Sequence, residues 1–182
     1  LTKEDFQIGG IALMKYNHSA NLKYKFGIYG NTELFGPWVV PIVGFYYLSP
    51  AKKFEMNFTL PLSADMNYKL SPIFHAGVNF FGLVRSYHLN EVEGAKVNGY
   101  LARSTNEVFA YLRINAGKSS IIQLKVGTSL GRSYRVYYEN DKVDIGIPLK
   151  YFGDVRQPTN TDFQDGLIGQ VVYIYRVSTE RK

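Results

Sequence analysis

Cysteine is absent from the 182-residue chain, which excludes disulfide scaffolds, thiolate-held zinc or iron–sulfur centres and cysteine nucleophiles. Histidine is nearly as scarce. His18, His75 and His88 are scattered, and none has a histidine partner at i,i+4 on a helix or i,i+2 on a strand, so no metal site and no cofactor is expected. Concentrated charge is also missing. Lys and Arg total 21 against 15 Asp and Glu, a net +6, but the tightest basic clusters are Lys23/Lys25 and Lys52/Lys53. A nucleic-acid binder gathers its charge on one stripe or helix, so no nucleic-acid partner is expected. The start, Leu1-Thr2-Lys3-Glu4-Asp5, shows no basic stretch followed by an apolar core. The chain is therefore either cytoplasmic or has already lost a leader. The longest uncharged run, Leu34 to Ala51, is interrupted by Gly36, Pro37, Pro41, Gly44 and Pro50, which excludes a membrane-spanning helix. No window carries an apolar stripe at three-and-four spacing.

What the chain has is aromatic weight and alternation. Aromatic residues make up 15% and hydrophobic residues 46%, too rich for a disordered chain. From Phe54 to Leu70 every second residue is apolar (Phe54, Met56, Phe58, Leu60, Leu62, Ala64, Met66, Tyr68, Leu70), and Glu55, Asn57, Thr59, Asp65, Asn67 and Lys69 lie between them. Successive side chains of a strand point to opposite faces, so one face is apolar and the other polar. The same pattern recurs at Leu22–Ile28, Phe74–Val84, Val108–Ile114 and Ile122–Tyr138. The chain reads as all-β, with strands near 6–16, 22–30, 37–48, 53–70, 73–88, 99–115, 120–138 and 166–177.

A strand of about 18 residues at roughly 3.3 Å each runs near 60 Å. Tilted about 45°, it still exceeds the ~30 Å hydrocarbon thickness of a bilayer. The expectation is one domain over 1–182, a closed antiparallel transmembrane β-barrel of eight strands. Ten is the alternative count, because 144–152 reads as a further strand. Connections 31–36, Ser71-Pro72 and Gly117-Lys118-Ser119 are assigned to one side, and 17–21, 49–52, 89–98 and 139–165 to the other. Both termini then fall on the short-turn side. Pro41 is awkward in a central strand.

With the apolar faces turned to lipid, the lumen collects Lys15, Lys23, Lys25, Glu55, Asp65, Lys69, His75, Arg85, Arg103, Glu107, Arg113, Lys125 and Arg135. An eight-stranded interior is just filled by side chains, so these groups read as a plug of ion pairs and hydrogen bonds. Tyr16, Tyr29, Tyr68, Tyr87, Tyr100, Tyr137, Tyr138, Tyr173 and Tyr175 sit near presumed strand ends, where aromatic girdles belong. Two other readings stay open. One is a soluble calycin-like barrel with its apolar face inward around a ligand, and the other a narrow anion-preferring channel.

The stretch Leu60-Pro61-Leu62-Ser63-Ala64-Asp65-Met66-Asn67-Tyr68-Lys69-Leu70-Ser71-Pro72 with its following strand resembles small outer-membrane β-barrel proteins of unknown function from Bacteroidetes-type bacteria, as does Lys125-Val126-Gly127-Thr128-Ser129-Leu130-Gly131-Arg132-Ser133-Tyr134. The resemblance covers about residues 50–138. It implies an outer-membrane location after removal of a leader, a lipid bilayer as the main partner, and no assigned activity. The ending Arg176-Val177-Ser178-Thr179-Glu180-Arg181-Lys182 departs from such proteins in lacking a terminal aromatic, although Gln170–Tyr175 can serve as the assembly signal.

Catalytic constellations are few. Ser86 and His88 share one strand face, and Glu91 or Glu93 could orient the histidine. Serine and histidine at a strand rim are ordinary residues, and the chain is not read as an enzyme. The acidic stretch Glu139, Asp141, Asp144, Asp154, Asp162 and Asp165 has no EF-hand spacing and reads as a solvated loop. The segments 89–98 and 139–165 are long enough to meet a protein partner.

Overall fold

The computed structural model describes residues 6–92, 98–117, 119–161 and 163–177. Glu93, Lys118, Asp162 and the tail from Ser178 lie outside them. Strands form where β-branched and aromatic residues alternate with polar ones: β1 (Gly9–Asn17), β2 (Leu22–Glu33), β3 (Gly36–Leu48), β4 (Phe54–Thr59), β5 (Ser63–Lys69), β6 (Phe74–Leu89), β7 (Gly99–Asn115), β8 (Ser120–Tyr138), β9 (Ile145–Ile147), β10 (Lys150–Phe152) and β11 (Leu167–Tyr175). Among the described residues there is no helix. Neighbours along the main path β1-β2-β3-β4-β5-β6-β7-β8-β11 pair antiparallel, and the small β9–β10 hairpin attaches to β3 through the parallel pair Trp38/Gly146.

This sheet overturns the expected closed eight-stranded barrel and its ten-stranded alternative. It has eleven strands, and hydrogen bonds do not close it: β1 and β11 are its two edges. Period-two alternation reports which way a side chain faces; it carries no information on whether the last strand meets the first. The miscount has a definite cause at 53–70, which is a hairpin (β4 and β5) turning at Leu60-Pro61-Leu62. Residues paired across it, such as Phe58 with Ala64 and Met56 with Met66, have the same parity, so the alternation passes through the reversal without a slip. The additional reversal also moves the ends. Nine strands lie on the main path, so the chain enters β1 at one end of the sheet and leaves β11 at the other. Connections 18–21, 49–53, 70–73 and 116–119 share one end, whereas 34–35, 60–62, 90–98 and 139–166 share the opposite one.

Three of the first five turns are tied by a serine hydroxyl. Ser19 Oγ accepts from the Asn21 and Leu22 amides, Ser49 Oγ from Lys53 and Phe54, and Ser71 Oγ from Ile73 and Phe74. Pro41 is accommodated because it pairs only with Ile28 of β2. On its other side β3 has no neighbour among the described residues between the Val43/Leu60 bridge and Trp38, so no ladder there needs a proline N–H.

The sheet curls strongly. Strands lie about 4.8 Å apart, so β2 and β6 would be about 19 Å apart on a flat sheet. Yet Arg85 of β6 bonds to Tyr29 and Glu33 of β2. An apolar cluster of Phe35, Trp38, Val40, Ile42, Tyr100, Tyr137 and Val143 fills the end that carries the long connections. The 139–166 connection folds back into that cluster, and the Val143 amide donates to the Phe35 carbonyl at 2.8 Å. Gly36, at φ 130°, lies against the Val143 carbonyl, where a side chain would be both strained and in collision.

Candidate functional site

The concave face carries three polar groupings. Nearest the short turns, Lys25 donates to Asn57 Oδ1 and Thr59 Oγ1, and the Tyr111 hydroxyl donates to Asp65 Oδ1 at 2.9 Å. Arg113 stacks at 5.4 Å on the Tyr111 ring, and the Lys125 ammonium lies 4.3 Å from the Phe109 ring centroid. His75 lies between the Asn67 and Asn115 amides. Lys25, Asp65, His75, Arg113 and Lys125 from the expected interior network are therefore brought to one end, with Glu55 and Glu107 half-buried on the same strands. Lys15 lies opposite Lys25 and is exposed, Lys69 is exposed opposite His75, and Lys23 is half-buried opposite Tyr46.

The second grouping surrounds Glu33, whose side chain is 0% exposed. Its carboxylate accepts from Asn31 Nδ2 at 2.7 Å, Arg85 Nη1 at 3.2 Å, and both the amide and hydroxyl of Ser86 at 2.7 Å. Ser86 Oγ in turn accepts from the Leu34 amide at 2.7 Å and from Gln7 Nε2 at 3.3 Å. The serine considered as a nucleophile is thus buried, and its proton goes to Glu33. Glu33 itself escaped the sequence reading because β2 was ended at residue 30. Carrying its alternation three residues further puts Glu33 on the Lys23/Lys25 face.

The third grouping lies under the folded-back connection. Arg156 is held by Asp154 through Nε–Oδ1 at 2.8 Å and Nη2–Oδ2 at 2.9 Å. Its guanidinium carbon sits 4.6 Å from the Tyr137 ring, 4.9 Å from Tyr151 and 5.5 Å from Phe35. Tyr100 donates to the Asp141 carbonyl. Burial opposes the Arg156 charge, but the bonds to Asp154 and Tyr100 outweigh it and raise the pKa. The Arg156 hydrogen bonds hold the Asp154 carboxyl below the usual carboxylate range, with Arg135 adding to the effect. A carboxylate with a lowered pKa stabilises the fold above its unfolded pKa of about 4, and that contribution is lost as pH falls through the lowered value. Pepsin should therefore cut the 139–166 connection faster as pH drops from 5 to 2 in the wild type, with no such step beyond pepsin's own pH profile in Asp154→Asn. Equal pH profiles for the two proteins would refute this latch.

Arg103 and Arg135 are separated by a local irregularity. The β7–β8 register shifts between Ser104 and Asn106, opposite Gly131 at φ 65°. Arg103 pairs with Tyr134 and lies 5.6 Å from its ring, whereas the exposed Arg135 pairs with Ala102. Cross-strand partners share a face, so these neighbouring pairs project to opposite faces. Of the tyrosines assigned to girdles, Tyr16, Tyr68, Tyr87, Tyr138, Tyr173 and Tyr175 are exposed, and Tyr29 is half-buried beneath Arg85. Tyr100 and Tyr137 lie inside the apolar cluster with ring centroids 5.5 Å apart. Among the described residues no group of three or more His, Asp or Glu could hold a metal ion.

One family profile matches residues 1–143, more than three quarters of the chain. The chain belongs to the family described as Domain of unknown function (DUF6268). The DUF6268 match takes in β1 to β8 and ends at Val143, the residue that docks on Phe35. No curated protein and no solved structure matches the chain.

Proposed function

We propose that the protein works at an outer membrane, with one face of the sheet against lipid and a structural or recognition role carried by the end that bears the 90–98 and 139–166 connections. The observation that supports this reading is an exposed apolar row running from strand to strand in register. Met56, Met66, Val78, Ala110 and Val126 are successive cross-strand partners, as are Met14, Phe26 and Val43, and Leu112, Leu124 and Val171. Val126 is 64% exposed and Val171 76%. A water-soluble monomer rarely leaves so continuous an apolar surface uncovered. The turn lengths agree. All four connections at one end span four or five residues, and both long ones leave from the other, as in outer-membrane proteins with short periplasmic turns. The open edges set a condition: hydrocarbon does not tolerate unpaired backbone groups, so β1 and β11 must meet further polypeptide wherever they lie at bilayer depth.

The absence of native cysteine makes the test direct. Nitroxide labels on Val126→Cys and Lys125→Cys, with the protein in lipid vesicles, should differ sharply. The label at 126 should be relaxed by oxygen and shielded from a water-soluble nickel complex, and the label at 125 should not show that pattern. Equal access of the nickel complex to both sites would overturn the lipid-facing assignment.

A further inference from the structure

The β4–β5 hairpin is short, and this leaves an opening in the sheet between β3 and β6. β5 pairs with β6 only as far as Ser63/Phe81, and one further backbone bond runs from the Gly82 amide to the Leu62 carbonyl. Beyond it β6 has no strand on that side among the described residues. On β3, Val43 exchanges both backbone bonds with Leu60, so residues of the same parity turn their backbone groups toward the opening. Pro41 is one of them and has no N–H to give, so a ladder cannot seal β3 to β6 there. A cavity of about 290 Å³ lies at the opening, lined by Phe81, Leu83 and Arg85 of β6 together with Ile11, Tyr29 and Trp38. A second cavity, of about 80 Å³, reaches Ser104 and Asn106. These are the cross-strand partners of Val84 and Gly82, on the other face of β6. Trp38, Leu62 and Leu83 line both cavities. We infer that this opening seats an aliphatic chain whose uncharged oxygen head, a hydroxyl or an ester, lies at Arg85.

The lining selects the ligand. Apolar side chains make most of the wall of the larger cavity, and two of them, Ile11 and Phe81, are 59% and 49% exposed. Small-molecule sites have this character, apolar with a few polar groups in one place, and about 290 Å³ falls at the small end of their range. A path that passes between two strand edges suits a linear chain better than a ring system. The polar end is set by Arg85. Its Nη1 donates to the Tyr29 hydroxyl at 2.6 Å and to Glu33 Oε1 at 3.2 Å, so the guanidinium charge is already answered inside the protein. A guanidinium carries five N–H donors, and both of these bonds leave from Nη1, so Nε and Nη2 keep donors for the head. A carboxylate head would bring a second negative charge beside Glu33, whose side chain is 0% exposed and unscreened by water. A hydroxyl or ester oxygen accepts the same bond without that repulsion. The inference does not rest on the outer-membrane reading, because the opening and its lining are the same whether water or lipid surrounds the sheet.

Trp38, the single tryptophan, lines both cavities and serves as the reporter. Bromine quenches indole emission on contact. The full chain in phosphatidylcholine vesicles is therefore titrated with bromoundecanol and with bromoundecanoate, each brominated at the terminal carbon, at about pH 8, where the carboxylate is ionised. Saturable quenching by bromoundecanol is expected, relieved by unbrominated undecanol, with bromoundecanoate about tenfold weaker. Ile11→Asn, which puts a polar group on the wall, and Leu83→Phe, which narrows the passage, should each weaken binding about fivefold or more. Ile28→Asn, at an exposed position that projects from the opposite face of β2 to Tyr29, should leave it within about twofold. Quenching that rises without saturation, or that undecanol does not relieve, would overturn the site, as would equal weakening by Ile11→Asn and Ile28→Asn. Bromoundecanoate binding as tightly as the alcohol would overturn the uncharged head at Arg85. Far-UV circular dichroism reports whether a variant keeps the sheet. If Leu83→Phe loses it, Ile11→Asn, at an exposed position on the edge strand β1, carries the decision.

Discussion

Glu33→Leu is expected to destabilise the fold by about 3 kcal/mol, from the desolvation penalty of roughly 1–3 kcal/mol for each buried donor left without an acceptor. Among the described residues Glu33 is the only carboxylate bonded to the Ser86 amide and hydroxyl, and Ser86 is buried. Leucine fills much of the space but accepts nothing, so both donors lose their partner in a place water does not reach. The Arg85 share of the loss is small, because its side chain is 40% exposed and can be rehydrated. Glu33→Gln keeps one acceptor oxygen and turns an NH2 group toward existing donors, so it should cost about half as much. Urea unfolding with an unchanged slope near 2 kcal/mol/M would place the leucine variant about 1.5 M below wild type. A shift of only a few tenths molar would show that Ser86 finds another acceptor and that the buried grouping does not hold β2 to β6.

Glu33 also shows what the sequence made legible and what it hid. Alternation located β7 and β8 at their observed bounds of 99–115 and 120–138, because long half-buried strands carry many repeats of one period. At particular positions it also matches burial, since Val126, Val78 and Leu124 are exposed while Lys25 is buried and Asp65 and Lys125 are half-buried, but Lys15, Lys69 and Arg135 are exposed. Three features were invisible to it for separate reasons. The reversal at Leu60-Pro61-Leu62 preserves parity. The register shift at Ser104/Asn106 changes parity within one apparently continuous strand, which is why Arg103 and Glu107 were assigned to a single face. Closure is set by shear and by the meeting of strands distant in sequence, and no local pattern encodes it.

The grouping around Arg156 is hidden for a different reason. Asp154 reads as part of a solvated acidic loop and Arg156 carries no motif, because a stretch without periodicity looks like loop whatever it packs on. The hint lay in the other partner. Leu34-Phe35 places two large apolar residues in a hairpin turn, where polar residues and glycine are the rule. An apolar turn in a sheet protein requires a cover, and the 139–166 connection supplies it.

Phe35→Ala should accordingly have the largest effect of any single truncation at that end, about 4 kcal/mol by comparison with other buried phenylalanines. Phe35 is 0% exposed and meets Trp38 edge-on at 6.0 Å, Tyr151 edge-on at 5.7 Å and the Arg156 guanidinium at 5.5 Å. Alanine removes the ring common to all three contacts, and the cavity cannot collapse without moving the β2–β3 turn, which the Val143 amide holds in place. Phe35→Leu retains most of the volume and should cost about 1.5 kcal/mol. The consequence extends past stability. With the ring gone the folded-back connection loses its seat, so Trp38 emission should shift to the red and pepsin should cut 139–166 at pH 4 and above, where the Asp154–Arg156 pair is intact. Phe35→Ala with unchanged Trp38 emission and an unfolding midpoint within 0.5 M urea of wild type would mean that the connection rests on β3 by its backbone alone, and that Arg156 is not held in place by the rings around it.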